Sequence, residues 1–233
     1  MFMKRLLLFV LTLTILQGCK KSEPEPVPTV QTEGLDIKYD QTKQLEVKLG
    51  NEVLDPKSFF WKIDDETVGS IDNLGVFTAQ KVGIANISIF NSDGTKVSES
   101  TITVSPYSTL FQEPITSWGT PLQNIIKDEK RKLADRQTYR LQFEGENQQV
   151  RAVAYELTLE KTLGFSILQL KDTPETRLEV MTFLKERYQY VHDPDNVSEG
   201  ENFINYERTK LVTLIDEKFL GLSVIYTPYD NVL

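Results

Sequence analysis

The sequence has one cysteine, one histidine and no long apolar run, and each scarcity excludes a kind of chemistry. Cys19 has no second cysteine, so an internal disulfide and a thiolate zinc site are excluded. His192 stands alone, whereas zinc catalysis takes two or three histidines. A Ser-His-Asp triad is disfavoured because no Gly-x-Ser-x-Gly turn is present, and no Gly-rich phosphate loop occurs. We therefore predict no catalytic residue, no metal and no cofactor.

The N-terminal segment has the three parts of a secretory signal. Lys4 and Arg5 give a positive start, and residues 6–16 form an apolar run that ends shortly before Cys19. Eleven residues span only about half of a ~30 Å bilayer core, too short for a transmembrane helix. The ending Leu-Gln-Gly-Cys resembles the bacterial lipobox, in which the cysteine is acylated and cleavage precedes it. We predict a signal peptide at 1–18, lipidation of Cys19 and an outer-membrane lipoprotein; an ordinary secretory signal is the alternative.

Residues 19–34 are predicted to be an acidic, Pro-rich tether. Glu and Pro alternate there, and too few apolar residues are present to pack. Glu23 and Glu25 resemble a surface-export signal, and display on the cell surface or on the periplasmic face both stay open. The full chain has a net charge of −8, and removal of the signal would make it more negative still. This charge argues against nucleic acid and against membrane contact other than through the lipid anchor.

Residues 35–105 show short alternating strands separated by turn-forming residues, which predicts a β-sandwich. Residues 61–79 contain Trp, an Asp four positions on, a Val seven on, then Ile-Asp, Gly-Val and Thr-Ala, with Gly-x-Ala-x-Ile beginning at residue 83. This pattern resembles the bacterial Ig-like domain, group 2, with Gly69 where that family prefers Ala. The resemblance implies an all-β spacer or adhesive module without catalytic residues. We expect Trp61 in its core and Asp65 and Asp72 at turns.

Residues 106–233 are predicted to form a second domain of a different class. Thr120-Pro121 and Thr173-Pro174 each have the residues of a helix start. Each predicted helix is followed by three or four alternating strands, which suggests an internal duplication. The expected helical faces are Leu122, Ile125, Ile126 and Leu133 in the first helix, and Leu178, Met181, Leu184 and Tyr188 in the second. We predict an α+β domain whose antiparallel sheet is covered on one face by two helices.

The outward polar face of that sheet is the predicted binding surface. Arg140 and Gln142 alternate with apolar residues and are expected to face outward, and aromatic contact is expected from Trp118, Tyr226 and Tyr229. A merely solvated face is the alternative. The acidic loop 193–201 has oxygen ligands for calcium but lacks EF-hand spacing, so a solvated turn is preferred to a calcium site.

The function predicted from these features is presentation of a binding module. We predict a non-catalytic, lipid-anchored cell-envelope protein that binds or adheres to a glycan or an envelope protein, with the second domain carried on an Ig-like spacer. One alternative is a polysaccharide hydrolase with paired carboxylates in the second domain. The other is a scaffold protein that binds only envelope components.

Overall fold

The computed structural model of the chain describes residues 26–31, 35–192 and 200–229. The predicted signal peptide and Cys19, the predicted lipidation site, lie outside these residues. So do residues 20–25 and 32–34 of the predicted tether, and residues 193–199 of the loop considered for calcium. Of the helices in the described ranges, none is long and apolar enough to cross a membrane.

The first domain consists of short strands because its apolar residues alternate along the chain and turns interrupt them. The alternation is clearest in one strand where Ala85, Ile87 and Ile89 are buried and the intervening residues are not. One turn of 3-10 helix occupies Pro56–Ser58. The strands are β1 (Thr29–Val30), β2 (Asp36–Lys38), β3 (Thr42–Gln44), β4 (Val47–Leu49), β5 (Glu52–Leu54), β6 (Phe60–Ile63), β7 (Gly69–Ile71), β8 (Val76–Ala79), β9 (Gly83–Phe90) and β10 (Lys96–Ser105).

These strands form three small sheets that pack on one another. The orders are β2-β10-β9-β6, β3-β8-β7 and β1-β4-β5. Strand β2 runs parallel to β10, whereas β9 runs antiparallel to both β10 and β6. One core cluster contains Phe77, Ile87 and Ile102, which come from two different sheets. A second cluster joins Val47 to Ile89. The first domain is therefore a β-sandwich, as the sequence predicts.

Trp61 is partly buried and packs against the core of the sandwich, as the motif predicts. Its ring packs against both clusters, and its indole N–H donates to the Pro56 carbonyl at 3.1 Å. Gly75 approaches this ring with φ of 75°, and a Cβ there would lie 2.8 Å from it. Glycine is required at this turn both for its positive φ and for the close approach of the indole.

Asp65 and Asp72 each bind the turn that follows them. The Asp65 carboxylate accepts hydrogen bonds from the N–H and the hydroxyl of Thr67, at 2.9 and 2.6 Å. The Asp72 carboxylate accepts from the N–H groups of Leu74 and Val76, at 2.8 and 2.9 Å. Both carboxylates thus close turns in the way that short acidic side chains favour.

Strand β1 lies inside the segment that composition predicts as a tether. Val30 pairs with Val47 of β4 and is only 1% exposed. It packs in the second core cluster together with Phe59 and Ile89. The sandwich therefore includes residues upstream of position 35, because Val30 pairs with a sheet edge and packs in a core although the stretch around it is polar.

The second domain is built on one antiparallel sheet of eight described strands, in the order β11-β12-β13-β14-β18-β17-β16-β15. In chain order, a helix followed by four strands occurs twice. The helices are α1 (Leu122–Asp128) and α2 (Pro174–Lys185). The strands are β11 (Leu133–Arg136), β12 (Arg140–Glu144), β13 (Val150–Leu157), β14 (Leu163–Leu170), β15 (Gln189–Val191), β16 (Glu201–Ile204), β17 (Lys210–Glu217) and β18 (Gly221–Pro228).

The prediction of an α+β second domain covered by two helices was wrong. The chain is mostly β, and the two described helices have only 7 and 12 residues. The segment 106–121 runs beside them without helical structure, and its Leu110, Phe111 and Trp118 pack against the same core cluster. Extended chain supplies part of the layer over the sheet, and this contribution has no periodic pattern that the sequence could reveal.

Helix α1 starts without the predicted cap and ends earlier than predicted. The hydroxyl of Thr120 donates to the Ser117 carbonyl, and the helix begins after Pro121 without a side-chain cap. The chain leaves the helix at Glu129. Leu133, predicted on the same helical face, therefore lies in β11, whose residues are all exposed.

Helix α2 begins as predicted, and its buried face matches the prediction in part. The Thr173 side chain accepts a hydrogen bond from the Thr176 N–H at 3.2 Å, which caps the helix. Leu184 is buried as expected, whereas Leu178 is 72% exposed and the unpredicted Phe183 is buried. The buried positions of the helix are Thr176, Val180, Phe183 and Leu184.

The two domains contact each other near the end of α2. The N–H of Val82 in the first domain donates to the Glu186 carbonyl at 2.8 Å. The hydroxyl of Tyr206 lies 3.4 Å from the Gln80 carbonyl, and the Lys81 ammonium lies 4.8 Å from the centroid of the Tyr206 ring. Residues 80–82 of the first domain therefore contact the second domain at Glu186 and at Tyr206.

Candidate functional site

Arg140 and Gln142 lie on the sheet face opposite the core. They alternate along β12 with Leu141 and Phe143, which belong to the core cluster. Nη1 of Arg140 is 2.8 Å from Oε1 of Glu156 on the neighbouring strand β13, so its charge is paired across the strands. This part of the face is polar, as alternation predicts, but its cation is already partnered.

The three aromatic residues predicted for the same surface do not lie beside Arg140 and Gln142. Tyr226 is fully buried on the covered face, and its hydroxyl has no hydrogen-bond partner among the described groups. Trp118 packs against the same core. Tyr229 follows β18, which two strands separate from β12, and its N–H donates to the Thr209 carbonyl. Alternation assigns residues to faces, but it does not say which strands become neighbours.

A crevice of about 480 Å³ lies where the two domains meet. We call it the junction crevice, and its lining residues are Tyr39, Met181, Lys185, Tyr188, Tyr190 and Glu201. Tyr39 comes from the turn after β2 in the first domain. The others come from α2, from the residues after it, and from β15 and β16. Its volume is in the usual range for a small-ligand pocket.

Tyr190 is the most accessible aromatic ring of the crevice. It lies on the edge strand β15 and is 49% exposed. The edge of its ring packs against Phe203 with centroids 5.4 Å apart, and its hydroxyl hydrogen-bonds to Glu201. This hydrogen bond, with a smaller effect of burial, raises the pKa of Tyr190. The ring is therefore held in one orientation while part of it stays open to solvent.

Tyr188 forms a rigid wall of the crevice. It is 6% exposed, and its hydroxyl donates to Oε1 of Glu113 at 2.5 Å. Burial, followed by the nearby Glu113 carboxylate, raises the pKa of Tyr188. On its other side the ring meets Tyr226 with centroids 6.5 Å apart. A fixed ring needs no reordering when a ligand arrives.

Tyr39 faces the crevice from the first domain. It is partly buried against that domain's core, and its N–H donates to the Ser105 carbonyl at 3.1 Å. Burial raises the pKa of Tyr39, and the carboxylates of Asp40 and Glu186 raise it further. Its phenol therefore stays protonated at neutral pH and can both donate and accept a hydrogen bond.

The lining combines three phenol rings with two opposite charges, Lys185 and Glu201. The tyrosine rings offer apolar faces, and the ammonium, the carboxylate and the hydroxyls offer donors and acceptors. Glu201 is the one carboxylate among the lining residues, whereas glycoside hydrolysis needs two. The chemistry that fits is binding of a neutral molecule that has apolar faces and many hydroxyl groups.

A second cavity of about 500 Å³ lies at the start of α1 and lacks aromatic lining. Its lining residues are Pro121, Leu122, Gln123, Arg136, Gln137, Thr138, Glu160 and Lys161. The ammonium of Lys161 lies 3.4 Å from the centroid of the adjacent Tyr139 ring and donates to the Thr138 carbonyl. The aromatic face nearest this cavity is therefore covered by a cation.

Metal-ligating side chains do not cluster in the described part of the chain. No group of three or more His, Cys, Asp or Glu residues there could hold an ion. His192 lies just after β15 and is exposed.

Sequence reasoning missed the junction crevice. Met181 and Tyr188 were expected to serve only in packing a helical face, and Tyr39 had no assigned role. The one available signal was the pair Tyr188 and Tyr190, which places two phenols two residues apart at the start of an edge strand. No spacing in the sequence connects them to Tyr39.

Comparison with known proteins accounts for the first domain. Residues 27–102 match the family model of the bacterial Ig-like domain (group 2). This segment is a bacterial Ig-like domain. The match begins two residues before β1, in agreement with the early start of the sandwich. It ends before the second domain and therefore says nothing of the crevice residues on α2, β15 and β16.

No curated protein matches the chain. Among solved structures it is similar to SGBP-B of the mixed-linkage glucan utilization locus of Bacteroides ovatus, determined in complex with a mixed-linkage heptasaccharide. The identity is 16%, and the alignment covers 84% of this chain and 42% of that chain. The TM-score is 0.26, too low for the fold or the ligand of that protein to inform this one. The assignment of the Ig-like domain is independent of this likeness.

Proposed function

We propose that the protein is a cell-surface binding protein whose junction crevice holds a neutral glycan. The observation that carries this proposal is the convergence of three tyrosines with one ammonium and one carboxylate in a single crevice. A sugar ring presents a flat C–H face and a rim of hydroxyls. The crevice offers aromatic faces for the first and charged or phenolic hydrogen-bonding groups for the second.

The rigidity of the two tyrosines from the second domain supports this proposal. Glu113 fixes the Tyr188 hydroxyl, and Phe203 and Glu201 fix Tyr190. Ordering a rotamer-rich side chain on binding costs about 0.5–1.5 kcal/mol, so rings that are already ordered leave more of the contact energy for affinity.

The charge of the chain favours a neutral ligand over an acidic one. Its net charge is −8, and the two charges in the crevice cancel. A negative protein repels polymers rich in uronate or phosphate. We therefore expect binding to uncharged polysaccharides.

The proposed location rests on the N-terminal sequence. We infer that Cys19 is acylated and that residues 19 onward hold the Ig-like domain away from an outer membrane. In this arrangement the crevice would be displayed on a folded stalk rather than at the membrane.

The proposal is tested by affinity electrophoresis of the mature chain in gels that contain neutral glucans, mannans, xylans or galactans. We expect retention by at least one polysaccharide, and about tenfold weaker binding of Tyr190→Ala, the loss of one stacked ring. Tyr139→Ala is the matched control, because Tyr139 is 45% exposed but lies outside the crevice. Failure of every polysaccharide to retard the protein, or equal binding by Tyr190→Ala and the wild type, would contradict the proposal.

The anchor has its own test. Expressed with its complete N-terminus in a Gram-negative host, the protein should partition with membranes and incorporate a fatty-acid label. The variant Cys19→Ala should lose the label. A labelled Cys19→Ala chain would show that lipid is attached elsewhere.

A further inference from the structure

The junction crevice takes its lining from both domains. Tyr39 belongs to the Ig-like domain, whereas Tyr188 and Tyr190 belong to the second domain. A ligand that touches all three rings contacts both domains at once. Its affinity then depends on how firmly the domains are held relative to each other.

Glu186 holds the joint between the domains. It follows α2, is 1% exposed, and its carboxylate accepts from the N–H groups of Tyr107 and Ser108 at 2.8 and 3.3 Å. Nη1 of Arg187 lies 3.2 Å from the same carboxylate and supplies the opposite charge. The backbone carbonyl of Glu186 accepts from Val82 of the Ig-like domain. Through its side chain, Glu186 thus binds the start of the segment 106–121, which we call the linker. Through its backbone it binds the Ig-like domain.

The linker residue held by Glu186 reaches the turn that presents Tyr39. The Tyr107 hydroxyl lies 3.4 Å from Oδ1 of Asp40, the neighbour of Tyr39 in the chain. Nζ of Lys38, on the other side of Tyr39, donates to the Pro106 carbonyl at 2.8 Å. The turn is therefore tied to the linker on both sides of the tyrosine, and the linker is tied to α2 through Glu186.

We infer that the Ig-like domain is part of the ligand-binding site, through Tyr39, and that Glu186 is the positioning residue that sets Tyr39 against the second domain. This inference rests on the proposed glycan function of the crevice. It gives the Ig-like domain a role in recognition beyond that of a spacer. Glu186 itself does not line the crevice and acts through the linker.

The positioning role is tested without any ligand, by electron–electron distance measurements on the mature chain. Cys19→Ser removes the native thiol, and Asn51→Cys and Gln148→Cys place spin labels at one exposed position in each domain. We expect a narrow distance distribution that Glu186→Gln broadens, because the amide has no charge to pair with Arg187 and its nitrogen cannot accept the hydrogen bond that Arg187 donates. Glu179→Gln, on the same helix and without a contact to the Ig-like domain among the described residues, should leave it narrow. An unchanged distribution in Glu186→Gln overturns the positioning role.

The recognition role is tested with a polysaccharide that retards the wild type. We expect Tyr39→Ala and Glu186→Gln each to weaken binding several-fold, and Tyr39→Phe to keep it because the ring remains. Melting temperatures close to the wild-type value would show that the domains themselves are intact. If Tyr190→Ala weakens binding but Tyr39→Ala and Glu186→Gln do not, this inference is wrong and the glycan function stands. If no polysaccharide binds, the glycan function and the role of Tyr39 are both wrong. The distance measurement alone then decides whether Glu186 fixes the two domains relative to each other.

Discussion

Two aspartates of the Ig-like domain bind backbone a few residues away, whereas one arginine of the second domain joins segments that are far apart in the chain. Asp65 binds Thr67, and Asp72 binds Leu74 and Val76. These bonds are short-range in sequence and lie at or near the surface. Each one fixes a turn, and each requires a particular residue at a particular spacing.

In the second domain, Arg131 illustrates the opposite arrangement. Its guanidinium binds the carboxylates of Glu129 and Glu146 and the carbonyl of Gln112, and Tyr155 donates to Glu129. The Arg131 and Glu129 side chains are only 6% and 4% exposed. The network ties the extended segment 106–121 to the sheet and leaves no spacing pattern. Local polar contacts produce a recognisable motif, and distant ones do not.

The largest expected effect comes from breaking the buried network. Arg131→Met should destabilise the protein by about 3–5 kcal/mol, because it leaves a buried carboxylate without its partner. Urea unfolding followed by circular dichroism measures the loss. Arg177→Met is the control: its ion pairs with Asp172 and Asp216 are exposed and should be worth less than about 1 kcal/mol. Equal losses in the two variants would contradict the contrast between buried and exposed polar contacts.

A smaller effect on stability is expected at Gly69, where the Ig-like domain departs from the residue that its family prefers. Gly69 is buried, and a Cβ there would overlap the Phe77 ring and lie 2.6 Å from the Thr78 carbonyl oxygen. Gly69→Ala, which restores the residue that the family prefers, should therefore cost about 1–3 kcal/mol. A double-mutant cycle with Phe77→Leu should show a reduced penalty, because only the ring overlap is relieved. A stabilising Gly69→Ala would show that the Phe77 ring moves freely.

The smallest expected effect concerns acid. The hydroxyl of Thr67 lowers the pKa of Asp65, and the N–H of Asn86 lowers that of Asp64. The stability that these carboxylates contribute is fully present above the unfolded pKa of about 3.9 and is lost as the pH falls through the folded values. At pH values below about 4, the Ig-like domain should therefore have a lower melting temperature.

Asp65→Asn should show a flatter pH dependence than the wild type. In a Trp118→Phe background, Trp61 fluorescence reports the Ig-like domain alone, since these are the two tryptophans of the chain. Parallel curves of stability against pH for the variant and its background would mean that Asp65 titrates alike in the folded and unfolded states.

The same contrast explains which parts of the structure could be predicted. Alternation of apolar residues along the chain found strands β12 to β18, and the core cluster includes Leu141, Val153 and Val224 from three of them. It missed β11, whose residues are all exposed. The capping signal succeeded at Thr173, whose side chain caps its helix, and failed at Thr120, whose hydroxyl binds a preceding carbonyl. A cap residue specifies a helix start only when tertiary packing leaves its side chain free to cap.

The candidate site could not be predicted because its parts are distant in the chain. Tyr39 and Glu201 line one crevice, yet they belong to different domains. Glu186 reads in the sequence as one acidic residue among 34, and only the folded chain places it against Tyr107 and Val82. Tyr226 could be placed in a strand from the sequence. The alternation of residues along that strand did not show which face of the sheet would be covered.

The strand order of the second domain has a consequence for how it folds. Among the described strands, every neighbouring pair is consecutive in the chain except β14 and β18, where Leu168 pairs with Val224. Hairpins between consecutive strands close short loops and form fast, whereas joining β14 to β18 must first overcome the entropy of a long closed loop. Pairing of β14 with β18, the seam at the middle of the sheet, is therefore the step that we expect to limit the folding rate. Substitutions along it would slow folding more than equally destabilising ones at the outer hairpins.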